Sequence, residues 1–245
     1  MIEIKSDFHL HTSEDREDPI AHSARELIDY AADRNITAIA ITNHNTFTYN
    51  QDLARHAEDK GVLLIPGVEK SVEHKHVLIL NAFPATEKIK SFDDLRKAKE
   101  DGVFLIAPHP FYKTPPCLGR KLYEHLELFD ALEFSYFYAT WLNPNKQMLR
   151  LAEESGLPVV GNSDCHLLKY FAACHSILQA DELSTASIFS AIREKRIDVV
   201  TKPTTVVRLA SIFFEMKWSQ CQVAFRAQKR PKFYSPEAQP EKMHI

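Results

Sequence analysis

Four apolar runs recur along the first two thirds of the chain. A polar amphipathic segment ending at Gly or Asn precedes each run, and a polar residue follows it, as in DRNITAIAITNHN, DKGVLLIPGVE, DGVFLIAPHP and SGLPVVGNSDCH. A Gly or Asn in this place is typical of a helix C-cap, where the backbone turns left-handed. An apolar run rich in β-branched residues is typical of a buried parallel strand. The pattern therefore predicts a repeated βα unit.

The polar residue after each run lies at a nearly constant distance from the preceding cap. The offsets are 9, 8, 7 and 8 residues, measured from Asn35 to His44, Gly61 to Glu69, Gly102 to His109 and Gly156 to Asp164. The segment IEIKSDFHL predicts the first strand and ends in the same way, at His9 and His11. We expect these residues to meet at the C-terminal ends of the strands, where βα barrels carry their active sites.

The segments between the strands predict five helices, at about 23–34, 49–60, 91–101, 142–155 and 185–195. Ser91 and Asp94 resemble a capping box at the start of the third helix. An open doubly wound sheet also alternates strands and helices, but it normally concentrates its site at one switch point. Because ligand-type residues end at least five predicted strands, the barrel is the favoured fold.

The βα pattern stops near Pro203. We interpret residues 1–203 as one barrel domain and residues 204–228 as a helix that packs on the barrel or on a partner. Residues 229–245 are polar and contain three prolines, which predicts a loose tail.

Composition and charge narrow the classes of function. With 245 residues, the chain has the length of one large α/β domain. Its net charge of −3 provides no overall basic field for nucleic acid, so nucleic acid is expected only as a substrate. The chain has neither an N-terminal signal sequence nor an 18-residue apolar stretch, which argues against a membrane span. The four irregularly spaced cysteines indicate reduced thiols and a cytoplasmic protein.

The sharpest chemical signal is His9-Leu10-His11. Alternate residues of a strand face the same side, so both imidazoles can point at one metal ion. An isolated pair of this kind is weak evidence, but here it stands at a predicted strand end and follows Asp7.

Further candidate ligands follow or begin other apolar runs: His44, Glu69, His76, His109, Asp164 and His166. Taken alone, His44 also fits a solvated loop residue, and His76 fits a structural histidine equally well. A carboxylate at the end of an apolar strand, as at Glu69, is costly unless it is paired or binds metal. Cys165 should point away from its ligand-type neighbours and is not a nucleophile candidate. Nitrogen and oxygen donors without thiolates favour Zn²⁺, Mn²⁺ or Fe²⁺.

The other histidines are expected at the surface. They are His22, His56, His74, His125, His175 and His244.

The motifs DFHLHT, AITNHN, PGVE, HVLIL, APHP and NSDCH occur in the order found in the polymerase and histidinol phosphatase (PHP) superfamily. The chain resembles this superfamily over about residues 3–203. The resemblance implies a distorted (β/α)₇ TIM-like barrel with a site for two or three divalent metal ions at the C-terminal ends of the strands.

The resemblance also implies a set of ligands for each metal. The first metal would be held by His9, His11, Glu69 and Asp164, and Glu69 would bridge to a second metal held by His76 and His109. The third would be held by His44 and His166 with an acidic residue of the loop after the first strand, either Asp15 or Asp18. The chain departs from many members at Asn43 and Asn45, where they have aspartates.

The resemblance implies a phosphoesterase, in which a metal-bound hydroxide attacks the phosphomonoester of a small metabolite or nucleotide. His166 or His44 would protonate the leaving group if it is not fully committed to a metal. One alternative is a nuclease that trims single-stranded ends, and another is a regulatory module that binds metal with little turnover. The sequence leaves the oligomeric state and the substrate open.

Overall fold

The computed structural model describes residues 1–229. The strands in this range are β1 (Ile2–Leu10), β2 (Ala38–Ile41), β3 (Leu63–Val72), β4 (Lys75–Leu80), β5 (Phe104–Ala107), β6 (Ala131–Ser135), β7 (Val159–Asn162), β8 (Cys174–Ala180) and β9 (Ile197–Thr201). The α-helices are α1 (Ala24–Ala32), α2 (Gln51–Asp59), α3 (Phe92–Glu100), α4 (Arg120–Glu124), α5 (Asn145–Ser155), α6 (Thr185–Arg193) and α7 (Val206–Lys229).

The strands form a single curved sheet in the order β7-β6-β5-β4-β3-β2-β1-β8-β9. Strands β1, β2 and β3 are parallel, and so are β5, β6 and β7. Strand β4 runs antiparallel between β3 and β5, and β8 and β9 are antiparallel additions next to β1. The α/β class and the distorted TIM-like barrel are confirmed. The distortion lies in the β3–β4 hairpin and in β8 and β9.

Side chains join the two halves of the sheet where β7 approaches β1 and β8. The Asn162 side-chain oxygen accepts a hydrogen bond from the Phe8 N–H at 2.9 Å. The Ser176 hydroxyl accepts from the Gly161 N–H at 2.8 Å and donates to the Gly161 carbonyl at 3.1 Å. A Cβ at Gly161 would lie 2.9 Å from the carbonyl oxygen of His175, so the close approach requires glycine. The sheet is therefore nearly closed into a barrel.

The predicted caps explain where the helices end. Asn35, Gly61, Gly102 and Gly156 have φ angles of 56°, 72°, 82° and 75°, the left-handed conformation expected of them. The five predicted helices are all present as α1, α2, α3, α5 and α6, each within its expected range. The short helix α4 and the antiparallel strands β8 and β9 were not predicted.

The capping box of α3 is confirmed. The Ser91 hydroxyl accepts from the Asp94 N–H at 3.1 Å, and the Asp94 carboxylate accepts from the Ser91 N–H at 3.0 Å. These bonds satisfy donors that a helix start otherwise leaves free.

Apolar packing fixes the barrel and the last helix. Phe8, Leu78 and Phe104 fill the barrel interior. Helix α7 occupies the segment where a helix was expected, and it buries Leu209 and Ile212. Within residues 1–229, no helix has the length and apolar character needed to cross a bilayer. The expected tail lies, from residue 230 onward, outside the described residues.

Candidate metal centre

Eight of the predicted ligands lie together at one end of the barrel. They form four groups of three whose ligand atoms lie within 4.8 Å of one another: His9, His11 and Asp164; His9, Glu69 and His109; His44, Glu69 and His76; and His11, His44 and His166. Each group contains only nitrogen and oxygen donors. The structure therefore assembles, from six separate motifs, a cluster with the chemistry of a divalent-metal site.

The two ring nitrogens of His9 differ: Nδ1, which faces away from the cluster, has a hydrogen-bond partner, whereas Nε2, which faces into the cluster, has none. The His9 Nδ1 lies 2.9 Å from Glu133 Oε1, and both side chains are fully buried. Because a carboxylate only accepts, Nδ1 carries the hydrogen in the neutral ring, and Nε2 then presents a lone pair to a metal. That Nε2 lies 3.3 Å from Glu69 Oε2 and 3.4 Å from Asp164 Oδ1, yet it has no hydrogen-bond partner. Two acceptors facing each other at this distance fit a cation between them.

Asp15 holds two further imidazoles in the same way. Its Oδ2 lies 3.1 Å from His11 Nδ1 and 2.8 Å from His44 Nδ1, and it accepts from the His44 N–H at 2.8 Å. The opposite nitrogens point inward, with His11 Nε2 at 3.4 Å and His44 Nε2 at 3.1 Å from Glu69 Oε2. A carboxylate on the outer nitrogen is the arrangement that orients histidine ligands of metals.

Glu69 is the centre of the cluster. Its side chain is 1% exposed, and it lies between imidazoles from four different segments. His76 Nδ1 lies 2.8 Å from Glu69 Oε1, but the angle is not that of a hydrogen bond, and Oε1 is unsatisfied. A buried carboxylate oxygen without a donor is costly unless it binds a cation.

Electrostatics also favours positive charge at this point. Burial raises the pKa values of Glu69 and Asp164, but the surrounding histidines outweigh it and hold both well below their usual range. Burial lowers the pKa of His9, but the charges of Asp164, Glu133 and Glu69 outweigh it and raise this pKa well above its usual range. Without a metal, His9 therefore holds an extra proton in place of a cation.

Two of the inward-facing residues have left-handed backbones. The φ angle is 29° at His109 and 46° at Asp164, a conformation that residues with a Cβ adopt at some cost. The His109 N–H donates to Glu133 Oε2 at 2.7 Å, and its Nδ1 lies 3.1 Å from Cys117 Sγ. Its Nε2 lies 3.5 Å from Glu69 Oε1. The strained turn thus aims the imidazole into the cluster.

The two loop carboxylates occupy different positions. Asp15 uses Oδ2 on the two imidazoles, and its Oδ1 accepts from the N–H groups of Glu17 and Asp18. Asp18 Oδ2 lies 3.1 Å from His166 Nε2 and accepts from Gln220 on α7 at 2.9 Å. Asp15 therefore orients histidines, whereas Asp18 faces the nitrogen of His166 that a metal would use.

The two asparagines beside His44 bind protein groups. Asn43 accepts from the Thr12 N–H at 2.8 Å and donates to the hydroxyls of Thr12 and Thr48. Asn45 has a φ of 50° and accepts from Lys70 Nζ at 2.9 Å. Both side chains hold loops around the cluster. Asparagine in place of aspartate at these two positions therefore does not remove a metal ligand that faces the cluster.

Sequence reasoning missed Glu133 and Cys117. Glu133 stands in the apolar strand ALEFS, which is the same signal that singled out Glu69. Cys117 is buried against His109 and Thr114, and no sequence signal linked it to this site.

The expectation of a surface position is wrong for His22. Its ring is only 6% exposed, because the loop after β1 folds back and the Ser13 N–H donates to the His22 carbonyl at 2.7 Å. Cys165 lies as expected, with its thiol donating to the Leu167 carbonyl at 3.3 Å and packed among apolar side chains away from the cluster.

A cavity of about 300 Å³ opens over the cluster. One wall consists of His44, Glu69, His76, His109, Asp164 and His166. The rest of the lining is mainly aromatic and apolar, and it includes Phe213 and Met216 of α7. Within the described part of the chain, no Lys or Arg side chain lines this cavity.

Comparisons with known proteins support the same fold. Residues 143–197 match the family described as PHP-associated. An uncharacterized protein of Methanocaldococcus jannaschii is 25% identical over 147 residues, which are 52% of this chain and 82% of that protein.

Two solved structures share the architecture. A two-domain protein from Bacteroides vulgatus, said to contain a predicted PHP-like metal-dependent phosphoesterase, superposes with a TM-score of 0.66 at 22% identity, over 88% of this chain and 70% of that one. A lesion-specific endonuclease from Pyrococcus furiosus gives a TM-score of 0.58 at 13% identity, over 81% of this chain and 58% of that one. The chain thus matches the PHP-associated family over residues 143–197 and shares its fold with these two structures.

Proposed function

We propose that the chain is a metal-dependent phosphoesterase that hydrolyses the phosphomonoester of a small metabolite or nucleotide. The observation that carries this proposal is the set of unsatisfied inward-facing atoms, His9 Nε2, His11 Nε2 and Glu69 Oε1. These atoms are buried and have no hydrogen-bond partner. They converge below an open cavity. Buried polar atoms of this kind require a partner, and a divalent ion suits all three.

The residues suited to hold metal fall into three sets. His9, His11, Glu69 and Asp164 would hold one ion, and Glu69 would hold a second with His76 and His109, which lie 2.8 and 3.5 Å from its Oε1. His44, His166 and Asp18 would hold a third, since Asp18 rather than Asp15 faces His166 Nε2. Bound divalent ions supply positive charge for a transferring phosphoryl group and lower the pKa of water, which is the chemistry that phosphoester hydrolysis needs.

The protein's own groups would orient the metal-binding imidazoles and protonate the leaving group. Asp15 and Glu133 fix the ring orientation of the imidazoles, so that the reacting geometry is set before the substrate binds. His44 and His166 both border the cavity, and we propose that in a site holding two ions, with the third set free of metal, one of them delivers a proton to the departing oxygen. The proposed hydrolysis does not require a serine or cysteine side chain as the nucleophile.

A small phosphomonoester suits the site better than a nucleic acid strand. The cavity of about 300 Å³ is at the small end of ligand pockets. Proteins that follow a nucleic acid backbone use rows of Lys and Arg, and none lines this cavity among the described residues.

The test compares His76→Ala with His56→Ala. His76 lies 2.8 Å from Glu69 in the cluster, whereas His56 lies on α2 and pairs with Asp29 at 3.0 Å. Each protein is loaded with Mn²⁺ or Zn²⁺, its metal content is measured by elemental analysis, and phosphate release from a panel of phosphomonoesters is assayed. We expect two to three metals per chain in the wild type and in His56→Ala. His76→Ala should lose metal and more than about 10-fold of the activity.

Other results select other functions. Metal binding without phosphate release from any ester favours a regulatory module. Shortening of labelled single-stranded oligonucleotides without release from the monoester panel favours a nuclease. Less than one metal per chain after loading contradicts the metal-dependent hydrolase itself.

A further inference from the structure

The cavity over the metal centre has two chemically different walls. Beside the wall of histidines and carboxylates, an aromatic and apolar wall consists mainly of Tyr112, Tyr136, Phe137, Phe213 and Met216. Tyr112 donates its hydroxyl to the Phe137 carbonyl at 3.0 Å, so that its ring, rather than its polar end, is available to a ligand. A ligand that fills the cavity would therefore contact charged groups at one end and rings at the other.

Helix α7 supplies the outer part of the apolar wall, and polar contacts hold it in place. Gln220 donates to Asp18 Oδ2 at 2.9 Å, next to the metal centre. Next to Met216, Glu215 accepts from Lys169, and from the Tyr170 hydroxyl at 2.5 Å. Leu209 and Ile212 lie on the inner face of the helix and are buried. Phe213 is thus held at the mouth of the cavity although its side chain is 57% exposed.

The absence of Lys and Arg from the described lining limits the substrate further. A substrate with a second phosphate or a carboxylate would place negative charge against rings, without a cation to compensate. An uncharged ring would instead remove Phe213 and Met216 from water and could stack on aromatic neighbours.

We infer that the aromatic and apolar wall binds the leaving group of the substrate, and that the substrate is a phosphomonoester with an aromatic or similarly apolar, uncharged leaving group. This inference rests on the proposed phosphoesterase function, because it takes the phosphate to lie on the metal side. It assigns Phe213 and Met216 to substrate selection.

Two phosphonates that differ by a phenyl group test the inference by binding alone. Benzylphosphonate and methylphosphonate share the same head group and cannot be hydrolysed, so calorimetric titration of the metal-loaded protein measures their dissociation constants without turnover. We expect benzylphosphonate to bind at least about 10-fold more tightly, since an added apolar group in a fitted pocket contributes about that much. Phe213→Ala should reduce the preference to less than about 3-fold.

Phe214→Ala is the matched control. Phe214 neighbours Phe213 on the same helix, is 66% exposed and does not line the cavity. It should keep the preference of the wild type, which separates a loss of the wall from a general disturbance of α7. Thermal unfolding of both variants verifies that the helix change does not unfold the barrel.

The outcomes separate this inference from the proposed function. Equal affinity for the two phosphonates, or an equal loss in both alanine variants, overturns the inference and leaves hydrolysis untouched. A preference for benzylphosphonate that depends on Phe213 supports the assignment of this wall to an apolar group of the ligand; if no ester in the panel is hydrolysed, that assignment stands while the proposed function fails. No binding of either phosphonate to metal-loaded protein contradicts both.

Discussion

At the residue scale, the carboxylates behind the imidazoles are as important as the imidazoles themselves. Glu133 accepts from His9 Nδ1 at 2.9 Å and from the His109 N–H at 2.7 Å, so one buried side chain positions two segments. Asp15 does the same for His11 and His44. Each ring therefore presents its inner nitrogen in a single tautomer, which prepares the site for a metal.

We predict that Glu133→Gln weakens metal binding by about 10- to 100-fold. The glutamine is the same size, but it has one oxygen in place of two, so one of the two buried N–H groups loses its acceptor. The affinity is measured by titrating metal into chelator-treated protein. Glu154→Gln on the exposed face of α5 is the control and should bind metal like the wild type. Equal affinities in the two variants would show that Glu133 does not orient the ligands.

The sequence predicted the site residues better where a strand ends than where a loop folds back. His9, His11 and Asp164 converge because the parallel strands β1 and β7 end at the same rim, and Glu69 joins them from within β3, where it pairs with His44. The roles of Asp15 and Asp18 depend on how the loop after β1 closes, and the spacing left them open. The burial of His22 has the same origin, since a loop's path depends on contacts that no local pattern records.

At the scale of elements, the joint between β7 and β8 is the part of the barrel without a regular ladder. The Ser176 hydroxyl binds both the N–H and the carbonyl of Gly161, so a side chain replaces strand pairing there. The sequence pattern predicted the parallel βα units and their caps, because each is set by local periodicity. It did not predict β8 and β9, whose place depends on pairing with β1, a strand at the other end of the chain.

Ser176→Ala should lower the free energy of unfolding by about 1–3 kcal/mol. The change leaves the buried N–H and carbonyl of Gly161 without a partner, and a methyl group cannot replace the hydroxyl. Urea unfolding followed by circular dichroism measures the difference. Ser190→Ala, whose hydroxyl binds only Glu194 at the surface of α6, should change the value by less than about 0.5 kcal/mol. A small effect at both serines would mean that the joint contributes little to barrel stability.

At the scale of the whole molecule, the buried cluster couples folding to pH and to metal. Burial lowers the pKa of His44, but Glu69 and Asp15 outweigh it and raise this pKa from 6.5 to about 9. The contribution of His44 to the free energy of unfolding is therefore complete below pH 6.5 and is lost as the pH rises through about 9. Glu69 and Asp164, whose pKa values are lowered from 4.5 and 3.8, stabilise above those values and lose their contribution as the pH falls.

These signs predict that the combined contribution of His44, Glu69 and Asp164 to the stability of the metal-free protein is largest between about pH 4.5 and 6.5, where both carboxylates are charged and His44 is protonated. Metal must displace those protons, so it should stabilise the fold strongly at pH 8 and weakly at pH 5. At a free metal concentration 100-fold above Kd, the gain at pH 8 is about 2.7 kcal/mol, or a rise in Tm of about 5–11 °C. Thermal unfolding with Mn²⁺ or with chelator, at both pH values, measures it. A Tm shift that is equal at pH 5 and pH 8 would mean that metal does not replace protons on these histidines.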